Sequence, residues 1–473
     1  MALMIHTGFA FAQGSKTEIA SSPNPIGSGA RAIGMGGAFI AVADDATAAS
    51  WNPGGLFQLK KPEISFVVNG FHRVEDNTFE NNPEANGSQS VSEWDINYFS
   101  AAYPFKFLDR NMVVSLNYQQ LYDFTREWEQ RNSLDTPEFK MDMKTDYEQS
   151  GGLSALGLAY CVQIVPELSF GFTLNFWDDD LSRNKWKKNI HTSITQTISP
   201  PDMETGPPGL PPGTEAGIPS EIKIWEENDW IDEYSFSGFN ANIGLLWRAG
   251  DKLSIGMVFK SPFTAELGHE GSFTIRTSDF IGDQVGHYEI PHNEEMDMPM
   301  SYGVGLAYRF SDQFTLSADI YRTEWNDFII RSEWDDPITG ASIREEISPV
   351  TNKPQDNSDV DATHQIRIGT EYLFLNPQSN YVIPLRGGMF YDPAPAEGSP
   401  NDIYRFSLGS GLSTERYAFD VAFQYRFGND ADAHVIPEDR DDSDSDITPS
   451  VVPYSFSQDL DEYIIYSSLI IYF

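Results

Sequence analysis

The chain has 473 residues, 40% hydrophobic and 13% aromatic, with 70 acidic against 31 basic residues and a formal net charge of −39 at pH 7. Contact with phosphates needs clustered Lys and Arg, so this balance excludes nucleic acid as a partner. Mean hydropathy is −0.38, and no run of about 18 apolar residues occurs, so no transmembrane helix is predicted.

The N-terminus, Ala2 to Ala12, is apolar and ends Ala10-Phe11-Ala12 before Gln13. A small-x-small ending predicts a signal peptide over 1–12 and hence export, although the usual basic start is missing. Next comes Gly27 to Leu56, dominated by small residues, with glycines including Gly27, Gly29, Gly34, Gly36, Gly37 and Gly54. Its few large side chains, Met35, Phe39 and Trp51 in the centre, are too sparse to offset ordering entropy in a core of its own. Glycine does let backbone approach backbone, so the segment is suited to threading a confined space. Residues 13–60 are therefore expected to form a small hatch with short helical pieces, one near Ala41 to Ala49.

From residue 61 the pattern turns to period two. Leu168, Phe170, Phe172, Leu174 and Phe176 fall on one face, opposite Ser169, Gly171, Thr173 and Asn175. Phe419, Val421, Phe423, Tyr425 and Phe427 do the same opposite Asp420, Ala422, Gln424 and Arg426. Such alternation predicts strands. About fourteen are expected, an even number as in bacterial outer-membrane barrels. They lie near 62–73, 93–105, 111–128, 146–161, 167–182, 233–248, 252–267, 286–310, 313–331, 361–375, 382–392, 401–413, 416–428 and 462–473.

Short connections such as Phe107-Leu108-Asp109-Arg110 alternate with long ones at 74–92, 129–145, 183–232, 268–285, 332–360 and 429–461. Short periplasmic turns and long external loops are the pattern of an antiparallel transmembrane β-barrel with its apolar faces toward lipid. The expected fold is thus all-β: a barrel over 61–473, plugged by the hatch. The Pro/Gly-rich stretch Pro200 to Pro219 suggests irregular structure. Asp442, Asp444 and Asp446 alternate, but without the glycine and glutamate of a calcium loop, so a solvated acidic surface, or one bridged by divalent ions to lipopolysaccharide, is the better reading. The last strand ends on Phe473, which resembles an outer-membrane assembly signal.

The single cysteine, Cys161, excludes an internal disulfide and a Cys-based zinc site. Gly27-x-Gly29 and Gly34-x-Gly36 follow Ser21-Ser-Pro-Asn-Pro25 instead of a strand, so no dinucleotide site is expected. No Gly-x-Ser-x-Gly, His-Glu-x-x-His or Cys-x-x-Cys occurs, and nothing pairs a serine with a histidine such as His364. No enzyme, cofactor or metal is predicted. Arg248, Arg367, Arg386, Arg405 and Arg426 are expected on the lumen face with Asp319, Glu371 and Asp420. Most should form structural ion pairs, since interior charges need partners. One guanidinium offers a fork suited to a fatty-acid carboxylate; Arg386 is the first candidate and Arg405 the second. Asp44 and Asp45 are read as caps or partners of lumen arginines. Phe39 and Trp51 are candidate pocket residues.

The segment Gly34-Met-Gly-Gly-Ala-Phe-Ile-Ala-Val-Ala-Asp-Asp-Ala-Thr-Ala-Ala-Ser-Trp-Asn-Pro53 resembles the N-terminal hatch of the FadL/TodX (OmpP1) family of outer-membrane hydrophobic-compound transporters. That family reads Asn-Pro-Ala where this chain has Asn52-Pro53-Gly54. Pro299 to Tyr308, Leu385 to Pro395, Arg405 to Gly409 and Ala422 to Tyr425 also look like family strands. The resemblance implies a fourteen-stranded barrel that passively takes up long-chain fatty acids or hydrocarbons and releases them sideways through a gap in the wall. It implies hatch movement around Gly34, Gly36, Gly37, Asn52 and Pro53. The implied partners are a hydrophobic ligand, outer-membrane lipid and lipopolysaccharide, and the barrel assembly machinery, with a monomer as default. The N-terminal motif is shared with secretion-associated barrels of the PorV type, so a plugged surface-assembly scaffold is the alternative. An outer-membrane hydrolase is a third.

Overall fold

The computed structural model describes residue 24 and residues 27–79, 86–137, 139–199, 221–279, 282–335, 342–351, 353–375, 380–435 and 454–473. The expected leader, the Pro200 to Pro219 stretch and the aspartates 442, 444 and 446 lie outside the described residues.

Twenty strands form one antiparallel sheet. They build fourteen staves, and six of these are broken into two strands by a bend. In chain order the staves are β1 (Glu63–Phe79), β2 (Gly87–Phe107), β3 (Arg110–Asp123) with β4 (Arg126–Asp135), β5 (Phe139–Val165), and β6 (Leu168–Trp177) with β7 (Asn184–Ile198). Then come β8 (Ile222–Arg248), β9 (Leu253–Lys260) with β10 (Phe263–Asp279), β11 (Gly282–Met298) with β12 (Ser301–Arg309), and β13 (Phe314–Thr323) with β14 (Ile329–Asp335). The last are β15 (Ser342–Ile347) with β16 (Thr363–Leu375), β17 (Tyr381–Tyr391), β18 (Tyr404–Thr414), β19 (Tyr417–Val435) and β20 (Tyr454–Tyr472). Pro262 and Pro299 sit at two of the bends, where a residue without an N–H interrupts a ladder. β1 pairs β20 from Glu63–Tyr472 to Phe79–Phe456, which closes the barrel.

Each of the fourteen expected strands is present. Among the described residues, the expected loops 74–92, 129–145, 183–232, 268–285 and 429–461 are mostly strand, while 332–360 keeps much irregular structure. β5 and β8 run for 27 residues each. Their upper halves recruit β4, β7 and β10 into continuous ladders. The barrel wall therefore continues as sheet beyond the lipid-facing band, because a strand that outruns the bilayer still presents N–H and C=O groups that pair most cheaply with a neighbour.

The two storeys have opposite polarity. In the lower one, Leu168, Phe170, Phe172, Leu174 and Phe176 point outward while Ser169, Gly171 and Thr173 are buried inside. Ten residues at about 3.3 Å, tilted about 40°, span roughly 25 Å, the height of an outer-membrane apolar band. In the upper storey the outward residues are charged and exposed, among them Lys140, Asp142, Lys185, Glu233, Glu266 and Glu270. Its inward residues near the bends include large apolar ones, and Leu153, Trp186, Tyr234, Phe236 and Leu267 join one buried cluster, with polar Asn184, Lys188 and Asp232 on the same inner face.

Residues 27–59 lie inside the lower storey. They hold two short helices, α1 (Ala30–Gly34) and α2 (Ala48–Trp51), and a 3-10 helix, Pro53–Gln58. The helix expected near Ala41 to Ala49 shrinks to α2, and α1 has too few turns to show a period. Glycines meet glycines here. A Cβ on Gly388 would lie 2.3 Å from the Gly36 nitrogen, and one on Gly369 would lie 1.9 Å from the Met35 oxygen. Gly36 itself has φ +63°, a conformation that L side chains rarely adopt. Gly388→Val is expected to destabilise the protein by about 1–3 kcal/mol through overpacking and to make residues 27–59 accessible to protease. Gly387→Val should do neither, since its Cβ has no neighbour closer than 3.8 Å. Gel-shift thermal unfolding and limited proteolysis of both variants check this.

Candidate functional site: the barrel lumen

The N-terminal segment is held to the wall by polar contacts. Asp319 Oδ2 accepts the backbone N–H groups of Phe39 and Ile40 at 2.8 and 2.9 Å. Asn52 Nδ2 donates to Ile40 O at 2.8 Å and to Leu245 O of β8 at 2.9 Å. Its Oδ1 accepts Gly54 N at 3.0 Å, which caps the 3-10 helix that Pro53 starts. Ser407 Oγ accepts Gly36 N at 2.9 Å, and Gly34 packs on Gly409. The structure thus divides the five between two contacts: Gly34, Gly36 and Gly37 meet β16, β17 and β18, while Asn52 and Pro53 meet β6 and β8.

Phe39 and Trp51 pack edge to face on each other, 5.9 Å between centroids, and both are buried within the segment. Trp51 Nε1 donates to Ser28 O at 2.7 Å. The site of Arg386 is an ion-pair chain. Its Nε donates to Glu371 at 2.7 Å and its Nη1 to Asp420 at 2.6 Å. Glu371 also takes both Nε and Nη2 of Arg31 at 3.0 Å, so α1 is clamped to β16. Asp44 and Asp45 pair with this same Arg31, a residue of the segment itself. Arg405 pairs with Asp392 and reaches Gln424. Arg73 and Arg426 share Glu462.

Two arginines depart from the expected pattern. Arg248 is not in the lumen: it is exposed at the end of β8, donates to Pro166 O, and lies 4.9 Å from the Phe57 ring centroid. Period two cannot separate lumen from rim at a strand end. Arg367 is in the lumen but has no ion pair among the described residues; the rings of Trp51, Tyr321 and Phe390 surround it at 5.6–5.8 Å. At the opposite end, Phe473 is exposed at the barrel rim, and its N–H donates to Pro62 O at 3.0 Å.

Above the segment lies a feature that sequence reasoning missed. Phe124, Trp186, Tyr234 and His269 stack in a row around the inner wall, with successive centroids 4.8, 4.6 and 4.2 Å apart. Trp186 opposes Tyr234 and Tyr234 opposes His269 in the ladders, so register alone makes the row. Trp177, Phe236 and Phe263 form a second group beside it. The signal was present in Asn184, Trp186 and Lys188, which charged neighbours disguised as loop, and again in Tyr234 and Phe236 of the expected strand 233–248, whose inward face was not read as aromatic.

The wall also has a break. β2 pairs β3 only from Tyr98–Gln119 down to Phe107–Arg110. Over 87–97, β2 keeps its β1 partner but has no ladder on the other side.

The family model described as "Outer membrane protein transport protein (OMPP1/FadL/TodX)" matches residues 4–465. The chain belongs to this family. Its members are transport channels of the outer membrane, and the outward apolar band agrees with that location. Among solved structures, a Pseudomonas aeruginosa FadL homologue is 13% identical, with 94% of this chain and 99% of that one covered and a TM-score of 0.54. The P. putida toluene transporter TodX is 15% identical, with 95% and 99% covered and a TM-score of 0.53. At these identities the likeness shows the fold. No curated protein matches at the sequence level.

Within this FadL/TodX barrel, the aromatic row ends in a buried charge cluster. His269 Nε2 lies 3.0 Å from Asp232, its Nδ1 lies 3.5 Å from Glu294, and Lys188 meets Asp232 at 2.7 Å. Burial opposes the charged imidazole, but the two carboxylates outweigh it and push His269 up to about 9. A raised histidine pKa stabilises the fold fully below its unfolded value near 6.5. The gain is lost as pH rises from there through about 9. Wild type is expected to lose on the order of 2–3 kcal/mol across that window, and His269→Gln to lose much less. Thermal unfolding at pH 6 and pH 9.5, with NMR titration of the imidazole, measures it.

Proposed function

We propose that the protein is a passive uptake channel for hydrophobic molecules, long-chain fatty acids or hydrocarbons, gated by residues 27–59 acting as a hatch. The observation that carries this is the inverted polarity of the upper storey. Its outer face is charged where water surrounds it, and its inner face presents Trp177, Trp186, Tyr234 and Phe236. Apolar surface turned inward above a membrane gives a hydrophobic ligand a path out of water, at about 25 cal/mol per Å² transferred.

In this reading, ligand enters among the upper strands and partitions onto the aromatic row. It moves down its gradient without cofactor or energy source. The hatch closes the lower lumen, and its polar ties to Asp319, Leu245 O and Ser407 are what must loosen. The ladder break beside β2 supplies a sideways exit into lipid. The fold shared with the toluene transporter TodX supports a hydrophobic cargo. The same reading has the assembly machinery recognise the strand that ends at Phe473, and lipopolysaccharide surround the outer leaflet.

Deleting the gene is expected to abolish most uptake of radiolabelled fatty acid or hydrocarbon by whole cells. Complementation with a Trp186→Ala, Tyr234→Ala double variant should restore only a minor fraction, about a tenth or less if each ring contributes 1 kcal/mol or so. Unchanged uptake in the deletion strain would remove the reading.

A further inference from the structure

A pocket of about 80 Å³ lies at the ladder break, between the N-terminal segment and the wall strands β1, β2, β3 and β20. Four carboxamides line it: Asn24, which donates to Asp392 and Pro393 O, and three others, Asn69, Asn97 and Gln120. None of the three makes a side-chain hydrogen bond among the described residues, and each has a buried oxygen without a partner. An unpartnered buried amide costs about 1–3 kcal/mol. Three around one pocket indicate that the pocket is filled by something that donates and accepts hydrogen bonds.

Size and charge narrow the choice. An apolar cavity of about 150 Å³ takes a benzene ring and stays dry. This pocket is about half that size and polar, so it fits a headgroup and not a ring. Its other charged lining residues are Glu93, Asp95, Asp123 and Glu462 against Arg73 and Arg405. Arg405 is already paired with Asp392, and Arg73 with Glu462. Glu93 and Asp95 in turn meet Arg183. An incoming carboxylate therefore finds, among the described residues, no guanidinium at the pocket that lacks a partner. The pocket also touches the aromatic lumen: Tyr122 lines it, and the Tyr122 ring lies 6.4 Å from that of Trp177.

We propose that this pocket is a binding subsite for the neutral hydroxyl of an apolar alcohol, reached by the headgroup while the tail lies along the aromatic lumen. The proposal rests on the uptake reading and adds a ligand class to it. A hydroxyl donates to one carboxamide oxygen and accepts from a neighbouring amide N–H. Bare hydrocarbon leaves those groups unpaired, and a fatty-acid anion gives up its hydration without gaining a free guanidinium.

Crystals of the full chain soaked with 8-bromooctan-1-ol, 8-bromooctanoate or 1-bromooctane locate the tail by the anomalous signal of bromine. Calorimetric titration in detergent gives the affinities. The alcohol is expected to bind about tenfold tighter than the carboxylate at pH 7.5, the worth of one or two hydrogen bonds, with its oxygen in the pocket. Asn69→Leu, Asn97→Leu and Gln120→Leu together should remove that advantage and leave 1-bromooctane binding unchanged. The heat-modifiable gel band confirms a folded barrel, and Asn97→Leu alone, with a smaller loss, serves if the triple variant does not fold. Carboxylate binding as tight as the alcohol, or an alcohol oxygen found outside the pocket, overturns the proposal while leaving uptake intact. Bromine absent from the lumen with all three ligands overturns the uptake reading and the proposal together.

Discussion

In lipid, each backbone N–H and C=O must find its partner within the protein. Most of this structure follows from that one demand. It requires the sheet to close, and β1 meets β20 over the whole of their paired length. Closure in turn makes every lower strand two-sided, with lipid outside and lumen inside, so side chains alternate in chemistry with period two. The break beside β2 is where the demand is relaxed, and side chains take over there. Arg183 reaches Asp95 at 2.9 Å, Arg126 reaches Glu75 at 3.2 Å, and Gln89 donates to Glu129 O at 3.3 Å. A polar edge laced by side chains is less costly to part than a ladder of backbone bonds.

The lumen solves a second problem. Charges inside a barrel are desolvated, and unpaired they are expensive. The wall contributes Glu371, Arg386 and Asp420 as one chain, and the N-terminal segment completes it with Arg31. Displacing α1 therefore strips a buried carboxylate of one of its two guanidiniums. The segment and the wall are electrically a single unit in the lower lumen, while the upper lumen carries the aromatic row and the Lys188–Asp232–His269 cluster at its end. The boundary between these regions falls where the wall strands bend, near Phe124, Phe263 and Trp325.

The lower storey was legible because lipid enforces a simple code: large apolar side chains on one face, small or polar ones on the other. Leu168 to Phe176 and Phe419 to Phe427 spell it without exceptions. The upper storey obeys the reverse code, and its charged outer face made 183–232 and 268–285 read as loops. Individual partners in the lumen were not legible. That Arg386 meets Glu371 depends on a cross-strand register between β16 and β17 that no local pattern specifies. That Asp44 and Asp45 turn to Arg31 depends on a fold of thirty residues without repeats. The wall glycines were in plain view at Gly369, Gly388 and Gly409, yet their meaning needed the segment opposite them.

Those glycines make the seat of the N-terminal segment adjustable in only one direction. At Gly388 against Gly36, both surfaces already carry the smallest side chain that the genetic code offers. Any substitution there adds bulk and pushes the segment off; none draws it closer. On this side the fit stands at its ceiling, and random drift acts as a ratchet toward looseness. Finer adjustment falls to Asp319, Asn52 and Ser407, where a change of side-chain length or acceptor can shift the balance either way.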